Sequence, residues 1–327
     1  MFVFGLFLCL SGRFVSAFQS PRTSLSIIRQ GSVFGTLKEN ASTTTANGKV
    51  LSPSVGDTFT SDVMKVFIED TDTYGVVYNA NYLKFYDRAL QTARSLSSIR
   101  HSDDVIVSVG NQKFRSSPSL GDEFVIEGVL NEVDEAERHI WDLSMKSVDR
   151  KTTYHSAESV VVTTPQNEQW LSQVEAFQPK EGSSYEMADS FVAYRDEFDP
   201  SMSSHMPLTS VLNHFERPRT NFFGGPKELR RLQEEDGIVV VVSGIKDLCL
   251  LEHDNDFLIG DTLTVKTFCE IRKGGMRSDL YQTIYTSSGT RLAQGVVTLY
   301  TLNKETFRPT SKLPQRLLDR LQGIISK

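Results

Sequence analysis

The sequence predicts an α+β protein of two similar halves, each a long central helix wrapped by a curved antiparallel sheet. Three observations lead there. Tyr78, Tyr82, Tyr86, Ala89, Ala93 and Leu96 recur at three to four residues, the spacing of a helix with one buried face. From there to Thr163, β-branched or alternating segments are separated by short turns, which is how antiparallel strands read. From Ser190 onward the same order of elements returns with divergence. At 327 residues, with 39% apolar residues and 20 Phe, the chain has room for two such halves and a sizeable core.

The first fifty residues are of another kind. Phe2–Leu10 is an apolar run too short to span a bilayer as a helix. Val15-Ser16-Ala17 then offers small residues suited to signal-peptidase cleavage, although no Lys or Arg precedes the run. Residues 1–17 are therefore read as a signal peptide. Residues 18–50 read as a disordered, transit-like segment: they are rich in Ser and Thr, and residues 1–50 hold Arg13, Arg22, Arg29, Lys38 and Lys49 against Glu39 alone. The join Ser16-Ala17-Phe18 resembles the bipartite plastid presequence of diatoms and related algae. That resemblance implies the chloroplast stroma of a secondary-plastid alga, with secretion or the endomembrane system as the alternative. Asn40-Ala41-Ser42 is a formal glycosylation sequon and discriminates poorly between them.

The first domain is expected over residues 55–164. Phe59–Ile68 reads as a strand, followed by Asp70, Asp72, a turn at Gly75 and a helix beginning near Asn79. The helix fades by Ile99–His101. Val105–Val109, Glu123–Val133, Arg138–Val148 and Tyr154–Thr163 read as strands, with Ser119–Asp122 as a turn. Residues 165–186, with Pro165, Pro179 and Gly182, read as a linker in which Trp170, Leu171, Val174 and Phe177 form a short helix. The second domain, 187–303, repeats the pattern. Ser190–Asp199 matches the strand with Glu69–Asp72, Leu212–Arg217 matches Leu83–Arg88, Gly237–Val242 matches the Val105 strand, and Ile259–Val265 matches Leu120–Ile126. Residues 304–327 read as an exit loop and an amphipathic helix with Leu317, Leu318, Leu321 and Ile324 on its apolar side. A curved sheet of this size leaves edges uncovered, so the halves are expected to pair as an internal pseudo-dimer, with further homo-oligomerisation open.

Composition excludes several functions. A net charge of −6 without a long basic stripe speaks against nucleic acid, and no stretch reads as an integral membrane span of the mature protein. Cys9, Cys249 and Cys269 have neither the spacing of a metal site nor that of a disulfide framework. Asp70, Asp72, His101, Asp103 and Asp104 match no common metal site, so neither metal nor cofactor is expected.

The chemistry concentrates at Asp72. A carboxylate just ahead of a helix whose first amides are free could activate a nucleophile beside a carbonyl that those amides polarise. A capping aspartate before an aromatic core helix would read the same way. The run Glu69–Ala89, EDTDTYGVVYNANYLKFYDRA, resembles without a gap the opening of hotdog-fold acyl-CoA thioesterases, especially the 4-hydroxybenzoyl-CoA thioesterase-like group. The resemblance covers roughly 57–163 and, more weakly, 190–303, as a fused double hotdog. It implies hydrolysis of an acyl-CoA or acyl-carrier-protein thioester to acid and thiol, with Asp72 as nucleophile or general base. It also implies carbonyl polarisation by the backbone at Asn79, after Tyr78, and close approach of the thioester at Gly75. Asn79 departs from the histidine of many bacterial relatives, which puts substrate and rate in doubt. Asp70 is read as a fold residue.

In the second half Asp199 matches Asp72, yet no glycine follows it, and the path to the helix positions is two residues longer, with His205 in the insert. One competent and one degenerate site are therefore expected. Lys113, Arg115, Arg272, Lys273 and Arg277 are candidates for the phosphates of coenzyme A or the phosphopantetheine of a carrier protein. Gly274-Gly275 reads as a hairpin turn and not a phosphate loop. A non-catalytic acyl-thioester-binding or structural protein is the alternative in another class. A hotdog dehydratase ranks below it, because neither half shows a histidine paired with an acid at the helix start.

Overall fold

The structure is a computed structural model that describes residues 54–72, 74–96, 104–163, 174–178, 184–194, 197, 206–251, 260–311 and 313–317. The signal and transit readings, Cys9, His101, Asp103, Asp199, His205, most of the linker and the chain beyond 317 lie outside the described residues.

The first repeat runs β1 (Thr58–Thr60), β2 (Met64–Lys65), α1 (Asn81–Leu96), β3 (Val105–Phe114), β4 (Glu123–Val133), β5 (His139–Ser147) and β6 (Thr153–Thr163). The second runs β7 (Ser184–Val192), α2 (Leu208–Phe222), α3 (Pro226–Glu234), β8 (Ile238–Leu250), β9 (Thr262–Arg272), β10 (Arg277–Tyr285) and β11 (Arg291–Asn303). All strands join one antiparallel sheet in the order β1-β4-β5-β6-β3-β8-β11-β10-β9-β7, with β2 also on β4. The order is a palindrome about the β3–β8 seam. There Ser108 pairs with Cys249 and Gln112 with Ile245, and a Cβ on Gly244 would come within 3.0 Å of the Gln112 carbonyl. The expected α+β architecture of two wrapped helices is what the chain forms.

The helices occupy the inner face. On α1, Tyr82, Leu83, Phe85, Tyr86, Ala89 and Leu90 are all buried, and on α2 so are Leu208, Val211, Leu212, His214, Phe215, Arg219 and Phe222. Phe85 meets Phe124 edge-on at 4.8 Å, and Tyr82 meets Phe114 at 5.2 Å. Full burial of each such ring contributes roughly 1.5–3 kcal/mol. Opposite α2, Gly295 leaves room for Phe215, whose ring would lie 3.2 Å from an added Cβ.

Several local expectations are corrected. Phe59–Ile68 is not one strand. Ser61 takes over pairing with β4, donating its amide to Ile126 O and accepting Ile126 N–H on its hydroxyl. The chain then bulges through exposed Val63 and rejoins β4 at Met64 with its register shifted by one. Helix α1 begins at Asn81, and Asn79 and Ala80 form the turn before it. Residues 174–178 are not helical. They cross the outer face of the second repeat, where Arg291 donates to Val174 O, Gln294 donates to Glu175 O and Phe177 meets Tyr281 at 5.4 Å. Helix α3 was not expected, although Gly225-Pro226 opens it and Leu232 anchors it. After β11, Leu317 is buried, and Arg316 bonds both Asp236 and Glu228, so the described end of the chain docks on the protein body.

Candidate functional site

The turn that carries Asp72 is fixed by backbone geometry. Asp70 Oδ2 accepts the Phe67 amide at 3.0 Å, and Asp70 O accepts both the Tyr78 amide and the Asn81 side chain at 3.0 Å. Buried Asp70 is therefore a fold residue. Asp72 and Val76 close a short loop, Asp72 N donating to Val76 O at 2.9 Å and Gly75 N to Asp72 O at 3.0 Å. Gly75 has φ 74°, the left-handed region that glycine enters without strain. The loop is pinned from outside by Leu120 N to Gly75 O and Val77 N to Pro118 O.

The Asp72 carboxylate is half-buried, and its Oδ1 accepts the Tyr74 amide at 2.8 Å. Burial raises its pKa; the amides of Tyr74 and Val76 oppose that rise, and the negative charge of Glu216 adds to it. Tyr78 is pushed up to about 12 by burial, with Glu216 and Asp72 raising it further and Arg219 and Arg217 opposing. Its hydroxyl is neutral at any physiological pH. While the Tyr78 amide is spent on Asp70 O, the amides of Asn79 and Ala80 donate to no acceptor among the described residues. The side-chain Oδ1 of Asn79 is likewise buried without a partner.

Glu216 and Arg219 belong to α2, so charges of the second repeat act on the first repeat's turn. The sequence reading did not single out either residue. Arg219 Nη2 donates to Glu216 Oε2, and Thr220 Oγ1 donates to Glu216 Oε1 at 3.2 Å. A basic or acidic residue on an amphipathic helix ordinarily reads as solvated, which is why neither stood out.

In the second repeat one contact of that turn has a counterpart among the described residues. Tyr194 N donates to Glu197 Oε2 at 2.9 Å, the counterpart of Phe67 N on Asp70. Glu197 also takes His214 Nε2–H at 3.2 Å and a guanidinium N–H of Arg217. Because arginine only donates, Arg217 Nη1 at 3.1 Å makes His214 Nδ1 the acceptor, which places the ring proton on Nε2. Burial lowers the His214 pKa against the pull of Glu197. An acid and a histidine are thus paired beside the middle of α2, away from the helix start where a dehydratase pair was sought. Both ring nitrogens are engaged, and neither is left for a substrate.

The phosphate candidates are not grouped at the start of α1. Phe114 faces Tyr82 of α1, so its neighbour Lys113 faces outward, where it pairs with Glu158; Arg115 is exposed. Arg272, Lys273 and Arg277 flank the β9–β10 turn, where Gly274 has φ 65°. Arg272 pairs with Glu270 and Asp279, and Arg277 with Asp279. One row across the sheet links Lys113, Gly244, Thr298 and Asp279, so Lys113 lies three strand spacings, about 14 Å along the sheet, from the strand of Arg277 and four from that of Arg272.

Within the first repeat, His155 is enclosed by Tyr82, Tyr86 and Phe114, with Nδ1 2.6 Å from the Tyr86 hydroxyl. Burial lowers its pKa to about 3, so it is a neutral core residue. Cys249 and Cys269 are buried free thiols, pushed by burial to about 11 and about 12. Among the described residues no three metal-binding side chains cluster, and no helix is long and apolar enough to cross a membrane.

Two central helices wrapped by one sheet that is symmetric about its middle define a tandem hotdog fold. The structure is similar to a protein from Lactobacillus plantarum described as an oleoyl thioesterase, at 8% identity and TM-score 0.52, over 76% of this chain and 97% of that one. It is also similar to an acyl-ACP thioesterase from Bacteroides thetaiotaomicron (10% identity, TM-score 0.51, 74% of this chain and 97% of that one). A MaoC-like dehydratase superposes equally well (10% identity, TM-score 0.51, 75% and 98%). At these identities the likeness is one of fold. No protein-family model and no curated protein matches the chain.

Proposed function

We propose that this protein hydrolyses an acyl thioester, acyl-CoA or acyl-carrier protein, to a free acid and a thiol. The observation that carries the reading is the Asp72 turn: a half-buried carboxylate with a raised pKa just ahead of α1, where the amides of Asn79 and Ala80 donate to no acceptor among the described residues. A carboxylate whose pKa is raised toward neutrality is a better proton acceptor at working pH, which favours its use as general base on a water. Direct attack by the same carboxylate, giving an anhydride that water then opens, uses the same geometry. In both routes the amides of Asn79 and Ala80 receive the carbonyl oxygen, and Gly75 keeps the approach free of a side chain.

The kinship to the 4-hydroxybenzoyl-CoA thioesterase-like group and the plastid address belong to this proposal. The plastid address favours carrier-protein thioesters, because fatty acid synthesis in that compartment uses them. A fluorescent fusion of residues 1–50 that reaches the stroma would support the address, and one that is secreted would replace it. A non-catalytic acyl-thioester binder is the second reading, favoured by the closed acid–histidine–arginine set of the second repeat.

The test is thiol release from a panel of aliphatic and aromatic acyl-CoA and acyl-carrier-protein substrates, run with wild type and Asp72→Asn. Release that the substitution abolishes supports the hydrolase. Binding of thioesters by folded protein without release would move the assignment to the binder.

A further inference from the structure

The cores of the two repeats differ in polarity at one place. With Leu83 matched to Leu212, Tyr82 matches Val211 and Tyr86 matches Phe215, and each of these is buried. Phe215 meets β11 at Gly295, where an added Cβ would lie 3.2 Å from its ring and 3.1 Å from Leu248 of β8. On β6, the matching strand of the first repeat, Tyr86 meets His155 instead. His155 Nδ1 is 2.6 Å from the Tyr86 hydroxyl, and its ring is 4.5 Å from those of Tyr82 and Phe114. Its Nε2 is buried without a partner. A hydrogen-bonded tyrosine–histidine pair thus stands where the second repeat has apolar contact, at a burial cost that the apolar arrangement avoids. The fold does not require the pair, because the second repeat wraps its helix without one.

His155 stands where both parts of the candidate site are tied to the sheet. Through Tyr86 it holds α1, whose first residue, Asn81, lies five residues earlier, about 7.5 Å along the axis. Just before His155, the Tyr154 carbonyl accepts the amides of Arg115 at 2.9 Å and Ser116 at 3.2 Å, where β3 leads into the 115–120 loop. That loop holds the Asp72 turn, by Val77 N to Pro118 O at 3.0 Å and Leu120 N to Gly75 O at 3.1 Å. A directional hydrogen bond fixes the height of a helix where apolar packing alone tolerates sliding. We propose that His155 is a positioning residue for the site headed by Asp72. With Tyr86 it sets α1 against the 115–120 loop, and so the place of the Asn79 and Ala80 amides relative to the Asp72 carboxylate. This rests on the hydrolase reading. Burial keeps the imidazole neutral, so the pair holds α1 alike at every working pH and takes no part in proton transfer.

Tyr86→Phe tests this with little risk to the fold, since it removes one oxygen and copies Phe215. The readouts are steady-state thiol release and the backbone amide resonances of isotope-labelled protein. Tyr86→Phe and His155→Leu should each lower kcat by about tenfold, with KM changed less than about threefold and by the same factor across the pH range of activity. The double variant should lose no more than either single one. His155→Asn, whose amide can still bond the Tyr86 hydroxyl, should recover part of kcat. In Tyr86→Phe the amide resonances of Gly75, Asn79 and Ala80 should move together with those beside the ring. Unchanged kcat, or changes confined to Tyr82, Phe114 and Met145 around the pair, overturns the proposal. A wild type that releases no thiol defeats the hydrolase reading instead, and the resonances alone then decide whether the pair sets the head of α1.

Discussion

The two repeats place an acid at the matching point before their helices, Asp70 and Glu197, and use it differently. In the first, Asp70 secures the turn and leaves Asp72 half-buried, with raised pKa, ahead of two amides that have no acceptor among the described residues. In the second, Glu197 holds the corresponding position but is drawn into a closed set with His214 and Arg217. The helix positions explain the divergence: His214 stands where α1 has Phe85, and Arg219 where α1 has Leu90. The second repeat has invested its polar groups in holding itself together and in facing across to its neighbour. The outer faces differ as well. Strand β5 alternates between buried and more accessible residues, as β4 does from Ile126 to Asn131, whereas β11 is buried continuously from Leu292 to Leu299, under the crossing 174–178 segment.

The contrast can be broken most sharply at Asp72. Asp72→Asn should reduce thiol release by about 10²–10⁴-fold, the range for removal of a general base, while the protein stays folded. Activity within tenfold of wild type would place the chemistry elsewhere. The acid of the other repeat should behave as structure: Glu197→Ala leaves Arg217 without its carboxylate and His214 Nε2–H without its acceptor, and should lower stability by about 3 kcal/mol. In thermal unfolding that is a drop of roughly 6–10 °C. A loss of turnover without that drop would make Glu197 part of a working site.

His214→Phe, which copies Phe85, should change stability by less than about 1 kcal/mol in either direction, since Glu197 and Arg217 keep each other. A loss as large as that of Glu197→Ala would show that the ring holds the set together. The smallest effect is the dependence of stability on pH. Because the Asp72 pKa is raised in the folded state, its contribution to stability is greatest when the group is protonated. That contribution is lost as pH rises through the ordinary aspartate range toward the raised value. Asp72→Asn should therefore raise the melting temperature slightly at pH 7–8, and the advantage should fade toward pH 3. An advantage that is constant with pH would mean that ionisation of Asp72 is not its source.

The fold was legible because its signals are periodic. The α1 stripe recurs every three to four residues, and the order of strands and turns is written twice. The Asp72 turn was legible for a local reason, an acid, a glycine and a helix start within nine residues. What escaped was set by packing. Glu197 and His214 are 17 residues apart in sequence and meet only once α2 is seated beside the turn. Arg219 looked like any charged residue of an amphipathic helix, yet packing buries it. The interruption of the first strand at Ser61 turns on one hydroxyl replacing a ladder partner, which alternation cannot register. Helix α3 hides in a stretch dense with charge, where Leu229 and Leu232 are its main apolar anchors.

The β3–β8 seam makes one sheet, and one gene product, of what could have been two identical chains. A homodimer records every substitution twice, so any change that sharpens one of its sites is imposed on the other. Here each position is inherited independently on either side of the seam. A leucine can persist at 90 while an arginine settles at 219, and a residue can be lost to one site while it is perfected in the other. The fused chain can thus specialise by asymmetry, a route that its symmetric equivalent would not have.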